Sequence, residues 1–171
     1  KIEAGKTTFE KIEFSLSKLV NSIYNNLSLS IQKKGDVELL LNYDNDIPKA
    51  LLGDPVKLGQ ILNNIIGNAL KFTNKGYVKI DCSLKSHNKS TGDIQVSFSV
   101  SDTGIGIKKE HLDGIFNSFI QSDSSVSRKY GGTGLGLTIT KNFIELQGGT
   151  LDVKSTYGMG STFIFEMPFQ F

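Results

Sequence analysis

A chain of 171 residues with 38% hydrophobic content is long enough to close one core and sits within the usual size of a single domain. The formal net charge is only +2 and no dense Lys/Arg block occurs, so neither nucleic acid nor an anionic membrane surface is implied as a partner. There is no secretory h-region, no apolar run long enough to span a bilayer and a single cysteine, which excludes an internal disulfide and leads us to expect a soluble piece.

Residues 8–13 read as a short strand. Leu16, Leu19, Val20, Ile23, Leu27 and Ile31 then recur at helical spacing and predict an amphipathic helix that stops at Gly35. Residues 37–43 read as a second strand. Asp54 and Pro55 have the chemistry of an N-cap and a first helical residue. Beyond them Leu58, Ile61, Leu62, Ile65, Ile66 and Ala69 form one apolar stripe, whereas Asn64, Asn68 and Lys71 fall together on a different face, one and two turns apart. Amide oxygens are hard donors suited to a hydrated magnesium ion, and Lys71 offers a point charge to phosphates. Taken alone, the same three residues would read as a solvated helix face. Gly59 and Gly67 each cost this helix roughly 1 kcal/mol relative to Ala, so packing has to hold it.

A strand over 77–84 follows, in which Cys82 alternates with Val78 and Ile80 as a buried strand residue rather than a nucleophile. A polar turn through His87 and Gly92 leads to a strand over 94–100, where Ile94, Val96, Phe98 and Val100 alternate with Gln95, Ser97 and Ser99. Asp102 is expected just past the end of that strand, and Gly104 and Gly106 let the backbone bend and approach a flat ligand. A second cluster, Gly131-Gly-Thr-Gly-Leu-Gly-Leu137, runs into a helix expected over 134–147 on the pattern Leu135, Ile139, Phe143 and Leu146. The start of that helix would aim unpaired N–H groups at an anion. The two clusters bracket a stretch of small polar residues, 122–131, with Arg128 and Lys129, which suggests a nucleotide site closed by a lid. Strands around 151–153 and 162–167 complete an α+β two-layer sandwich with a mixed, largely antiparallel sheet packed on helices.

These segments resemble the ATP-binding catalytic domain of two-component sensor histidine kinases, within the ATPase superfamily that also includes gyrase, the mismatch-repair clamp proteins and a heat-shock chaperone. The resemblance covers roughly residues 9–169. It rests on an N box (64–73), a first glycine box (Asp102, Gly104, Gly106), a phenylalanine box (Phe116, Phe119) and a second glycine box (Gly132, Gly134, Gly136), in the family's order. It implies that ATP and Mg2+ bind here, with Asn64 and Asn68 at the metal and Asn64 and Lys71 in catalysis. Phosphates would meet Lys71 and the backbone of Gly132, Thr133, Gly134, Leu135 and Gly136. Asp102 would accept a hydrogen bond from the exocyclic amine of adenine, where guanine presents a second acceptor, so ATP is preferred to GTP; an Asp that caps a turn is the alternative. Ser161 or its neighbour Thr162 matches a hydroxyl that helps bind the base. Phe116 and Phe119 are either core residues or, as the family implies, a hinge that packs the lid against the phosphotransfer helices.

The same resemblance makes residues 1–7 the tail of a preceding dimerisation and phosphotransfer helix or linker, and 8–171 the ATP-binding domain. The implied partners are the dimerisation and histidine-phosphotransfer domain of the same protein and a response-regulator receiver domain downstream, the latter suggested by the hybrid-kinase wording of 121–137. A cytoplasmic location is implied, whether or not a parent protein is membrane-anchored. His87 and His111 do not lie in a phosphoacceptor-like segment and are expected at the surface. Where clamp-type ATPases of the superfamily carry a Glu that activates water, Asn64 has no useful basicity, so slow hydrolysis is expected. Three functions stay open on this reading: a protein-histidine kinase module, a nucleotide-dependent binding module without transfer activity, and a clamp-type ATPase.

Overall fold

The structure, a computed structural model, describes residues 8–33, 35–116 and 136–171. In chain order the elements are β1 (Ile12–Phe14), α1 (Leu16–Ile31), β2 (Val37–Tyr43), β3 (Leu51–Gly53), α2 (Pro55–Phe72), β4 (Gly76–Asn88), β5 (Asp93–Asp102), α3 (Lys109–Leu112), α4 (Gly136–Leu146), β6 (Thr150–Thr156) and β7 (Gly160–Gln170). The described strands form one sheet in the order β1-β3-β7-β5-β4-β2, with β6 also paired to β7. Its long pairs are antiparallel except for β2 with β4, which is parallel.

The alternation of β5 decides which side of the sheet is covered. Residues directly opposite one another in neighbouring strands share a face, so the row Cys82–Phe98–Phe165 points to one side, where all three are buried. The rings of Phe98 and Phe165 stack there, 4.6 Å between centroids and 9° between planes. The other face carries Ser97 and Ser99 and the Lys79–Asp81 ion pair at 3.2 Å. One apolar and one polar face is the pattern of a sheet covered on a single side.

The covering layer is α1, α2 and α4, with α2 in contact with both other helices and with β4 and β5. All six positions of the predicted α2 stripe are buried, together with Leu70. Burying each such side chain contributes about 1.5–3 kcal/mol, which outweighs the helical cost of Gly59 and Gly67. Asp54 caps the helix, its Oδ1 accepting from Lys57 N at 2.9 Å. Its Oδ2 accepts from Glu10 N at 3.0 Å, which ties the incoming chain to the head of α2, and the buried carboxylate is thereby satisfied.

The structure departs from the sequence expectation in several places. The first strand is three residues over 12–14 rather than 8–13, and β3 is an additional three-residue strand that pairs with β1. Strand β4 runs through His87 to Asn88, so the turn occupies 89–92. Asp102 is the last residue of β5 rather than the first beyond it. The expected apolar stripe of α4 is only in part its inner face: Phe143 packs against the core, Leu135 lies outside the described residues, and Ile139 and Leu146 are 46% and 63% exposed, while Thr140 and Ile144 are buried. The helix lies against α2 as well as β6 and β7, and the small residues Gly136 and Thr140 face α2. Gly136 and Thr140 thus join the buried Ile144 on the side of the helix that is turned inward. Cys82 is 3% exposed as expected, and burial pushes its thiol up to about 12.

Candidate functional site

The strand pairing of β4, β5 and β7 places Asp102 opposite Val78 on one side and Ser161 on the other. All three therefore sit on the helix-covered face, with Val78 and Ser161 buried. A carboxylate on that face is desolvated, and burial raises the Asp102 pKa, with the backbone N–H groups of Gly104 and Ser161 partly opposing the shift. The Gly104 bond to Oδ1 is 2.9 Å. An acceptor in this setting is a strong discriminator, because an unmatched partner leaves it without compensation.

The loop after Asp102 is clamped from three directions. Thr103 N donates to Tyr77 O at 3.1 Å, Ile105 N to Phe72 O at the end of α2 at 3.3 Å, and Gly158 N to Ile105 O at 2.7 Å. This close approach is what the glycines permit. A Cβ on Gly104 would stand 2.4 Å from Phe72 O, and one on Gly106, whose φ is +67°, would stand 2.2 Å from Thr156 O. A shallow hollow of about 340 Å3 opens by the same loop among Phe72, Lys75, Thr103, Ile105 and Tyr157. Neither Asp102 nor any of the α2 amides lines it, so the convergence of polar groups, not the hollow, marks the candidate site.

Ser161 and Thr162 part company in the sheet. Ser161 pairs with Asp102 on the helix-covered face, while Thr162 pairs with Ser101 on the other face and donates to Ser101 Oγ at 3.1 Å. Ser155 holds Ser161 in place: their hydroxyl oxygens are 2.8 Å apart. Ser155 Oγ also accepts from Ile107 N at 2.7 Å and donates to Gly160 O at 3.0 Å. Since the single Ser155 hydrogen is used on Gly160, the Ser161 hydroxyl is the donor between the two and keeps lone pairs to accept a further bond. Ser155 escapes sequence reading because its place beside Ser161 depends on the β6–β7 register.

The other end of the site is made by α2 and α4. Asn64, partly buried, donates through Nδ2 to Thr140 Oγ1 at 2.6 Å. Asn68 and Lys71 follow along the same face of α2 toward the Phe72 carbonyl that meets the glycine loop, so this face runs from the head of α4 to the neighbourhood of Asp102. Lys71 Nζ lies 5.6 Å from the Phe72 ring centroid. Among the described residues the Asn68 side chain has no hydrogen-bond partner. Phe116 is partly buried against the core, and its carbonyl accepts from Thr138 Oγ1 at 2.8 Å. Gly132, Thr133, Gly134 and Leu135, the expected lid at 122–131 and Phe119 lie outside the described residues. His87 stands against the Phe171 ring, 4.6 Å between centroids, and His111 lies 3.7 Å from Glu110 on α3.

Comparison with known proteins gives the same outline. The family described as histidine kinase-, DNA gyrase B-, and HSP90-like ATPase matches residues 53–170. The chain is 45% identical over 168 residues to hybrid signal transduction histidine kinase B of Dictyostelium discoideum, a match that covers 98% of this chain and 8% of that relative. Full-length ShkA in complex with AMPPNP superposes with a TM-score of 0.80 at 32% identity, over 98% of this chain and 33% of that one. The catalytic domain of histidine kinase ThkA in a nucleotide-free form gives 0.70 at 28% identity, over 93% and 95% of the two chains. This chain thus spans a small part of its curated relatives and nearly the whole of an isolated catalytic domain. With two glycine clusters in its sequence, an amide-bearing helix and a one-sided sheet, the chain belongs to the histidine kinase-, DNA gyrase B- and HSP90-like ATPases.

Proposed function

We propose that this chain is the ATP-binding catalytic domain of a hybrid sensor histidine kinase, which binds Mg-ATP and passes its γ-phosphoryl group to a histidine on an adjacent dimerisation domain. The observation that carries the reading is Asp102: a half-buried carboxylate at the end of a central strand, beside a loop whose glycines leave no room for side chains. The neighbour ShkA was solved with an ATP analogue, which supports placing the nucleotide here.

Asp102 would accept from the adenine amine, with Ser161 as the second base contact and Thr162 left out by its face. Lys71 and the glycines at the head of α4 would bind the phosphates. The donor set also fits magnesium. Among the described residues no group of three or more His, Cys, Asp or Glu could hold a metal alone, but amides one turn apart suit an ion that keeps waters and shares phosphate oxygens. Bound there, the ion would neutralise charge on the phosphates during transfer. Asn64 and Asn68 would supply its protein oxygens. An amide cannot take a proton from water, so Asn64 leaves the nucleotide intact until a histidine arrives in line, and the chain's contribution to catalysis is alignment.

The acceptor would come from the dimerisation domain of the same protein, and a receiver domain would follow, as the hybrid relatives suggest. Residues 8–171 would form the catalytic domain and 1–7 its link to the domain before it. No described helix is long and apolar enough to cross a membrane, and a cytoplasmic placement belongs to this reading. The test is incubation with γ-labelled ATP, alone and with the dimerisation domain of the parent protein, followed by acid. Acid-labile label on the added domain alone is the expected result. Acid-stable label on the chain itself, or no label despite measured ATP binding, contradicts transfer to histidine.

A further inference from the structure

The contact between α2 and α4 holds a polar pair in an otherwise apolar place. Thr140 is 3% exposed, and Ile144, one turn on along the same face, is fully buried. A β-branched hydroxyl residue is a poorer helix former than Ala by a few tenths of a kcal/mol, so its presence calls for a partner, which is the Asn64 carboxamide: Nδ2 reaches Thr140 Oγ1 at 2.6 Å. One turn earlier on α4, a Cβ on Gly136 would lie 2.6 Å from Asn64 Oδ1 and 3.1 Å from Nδ2. The missing side chain is thus the space that the amide occupies, with its nitrogen on Thr140 and its oxygen over the first residue of the helix.

An Asn carboxamide is nearly symmetric in shape, and half a turn about χ2 exchanges an acceptor for a donor pair. A cation needs the oxygen. We propose that Thr140 is a positioning residue for the nucleotide site: the bond it accepts from Asn64 Nδ2 holds the carboxamide in place, with its oxygen over Gly136 at the head of α4. Thr140 touches neither nucleotide nor metal and acts through Asn64. The inference rests on the proposed role of Asn64 in Mg-ATP binding.

The near-isosteric Thr140→Val removes the acceptor and keeps the volume, whereas Thr140→Ser keeps the hydroxyl. In the free protein, NMR of the side-chain amides should show the Asn64 NH2 pair displaced in Thr140→Val and restored in Thr140→Ser. Calorimetry at stepped Mg2+ should show Mg-ATP affinity about tenfold weaker in Thr140→Val, the size of one hydrogen bond, with adenosine affinity unchanged and Thr140→Ser close to the parent. Unchanged Mg-ATP affinity in Thr140→Val overturns the proposal, as does an equal loss of ATP and adenosine, which marks a merely structural contact. Asn64→Ala separates the two levels. If it leaves the Mg2+ dependence unchanged, the site reading and the Thr140 role fall together; if it abolishes that dependence while Thr140→Val is silent, only the Thr140 role falls.

Discussion

At the Asp102 end the site is built from backbone: a strand end, a loop held by Phe72, Tyr77 and Gly158, and glycines whose missing side chains are filled by carbonyl oxygens. At the Asn64 end it is built from side chains, an amide of α2 meeting a hydroxyl of α4. A base is rigid and presents a fixed edge, so its end of a site gains from being fixed in advance by hydrogen bonds that do not rearrange. Phosphates and a hydrated cation change geometry during transfer, and an end assembled from side chains between two helices can follow them. The two ends should therefore fail differently when mutated.

The largest effect is expected at the backbone end. Gly106→Ala forces a left-handed φ on a residue with a Cβ, about 1–2 kcal/mol, and drives that Cβ against Thr156 O. Global stability measured by urea unfolding should fall by about 2–4 kcal/mol when overpacking is included, and nucleotide binding should be lost with it. Asp102→Ala comes next, costing about 1.5–3 kcal/mol for a bond to a charged group and weakening ATP and adenosine alike in calorimetry. Equal affinity for adenosine in that variant would move the base elsewhere. At the phosphate end Asn68→Ala should spare adenosine and change only the Mg2+ dependence, the opposite pattern.

The half-buried carboxylate of Asp102 also makes the base end sensitive to pH. Burial raises the Asp102 pKa in the free protein, so the folded state takes up this proton more readily than the unfolded state. The contribution to stability is fully present below the ordinary carboxylate pKa and lost as pH rises through the raised value. Asp102→Asn should consequently melt higher than the parent at neutral pH while binding ATP more weakly. ATP affinity of the parent should drop on acidification through the same raised pKa, because the protonated group no longer offers a charged acceptor. Smallest is Gly67→Ala on α2: no described atom lies within 4 Å of the added Cβ, and a rise in stability of about 0.8–1 kcal/mol is expected from helix propensity alone, read by urea unfolding. At the far side of the core Cys82, its thiol near 12, should resist alkylation in the folded protein and react only on unfolding.

Much of the fold was legible because the periods of α1, α2, β2, β4, β5 and β7 are undisturbed by function. Asp54 and Pro55 marked the start of α2, and the alternation before Asp102 placed it at a strand end. What escaped was pairwise. β3 is too short for a period, and pairs with β7 only at Leu52. Ser161 could not be told from Thr162 without the register that sets one beside Asp102 and the other beside Ser101. The rotation of α4 was misread in part because its buried side includes Gly136 and Thr140, which meet Asn64, beside the apolar Ile144. Thr140 and Ser155 carry no motif of their own; each is found only through the side chain it supports.

The proposed adenine site at Asp102 is tested most directly by titrating the chain with ATP and with GTP in the same Mg2+ buffer and reading both by calorimetry. ATP should bind with GTP at least tenfold weaker, since guanine turns a carbonyl toward a half-buried carboxylate; by linkage, ATP at a hundred times its dissociation constant should stabilise the fold by about 2.7 kcal/mol. No heat with ATP, or equal affinity for the two nucleotides, would contradict the assignment of Asp102 and the site built around it.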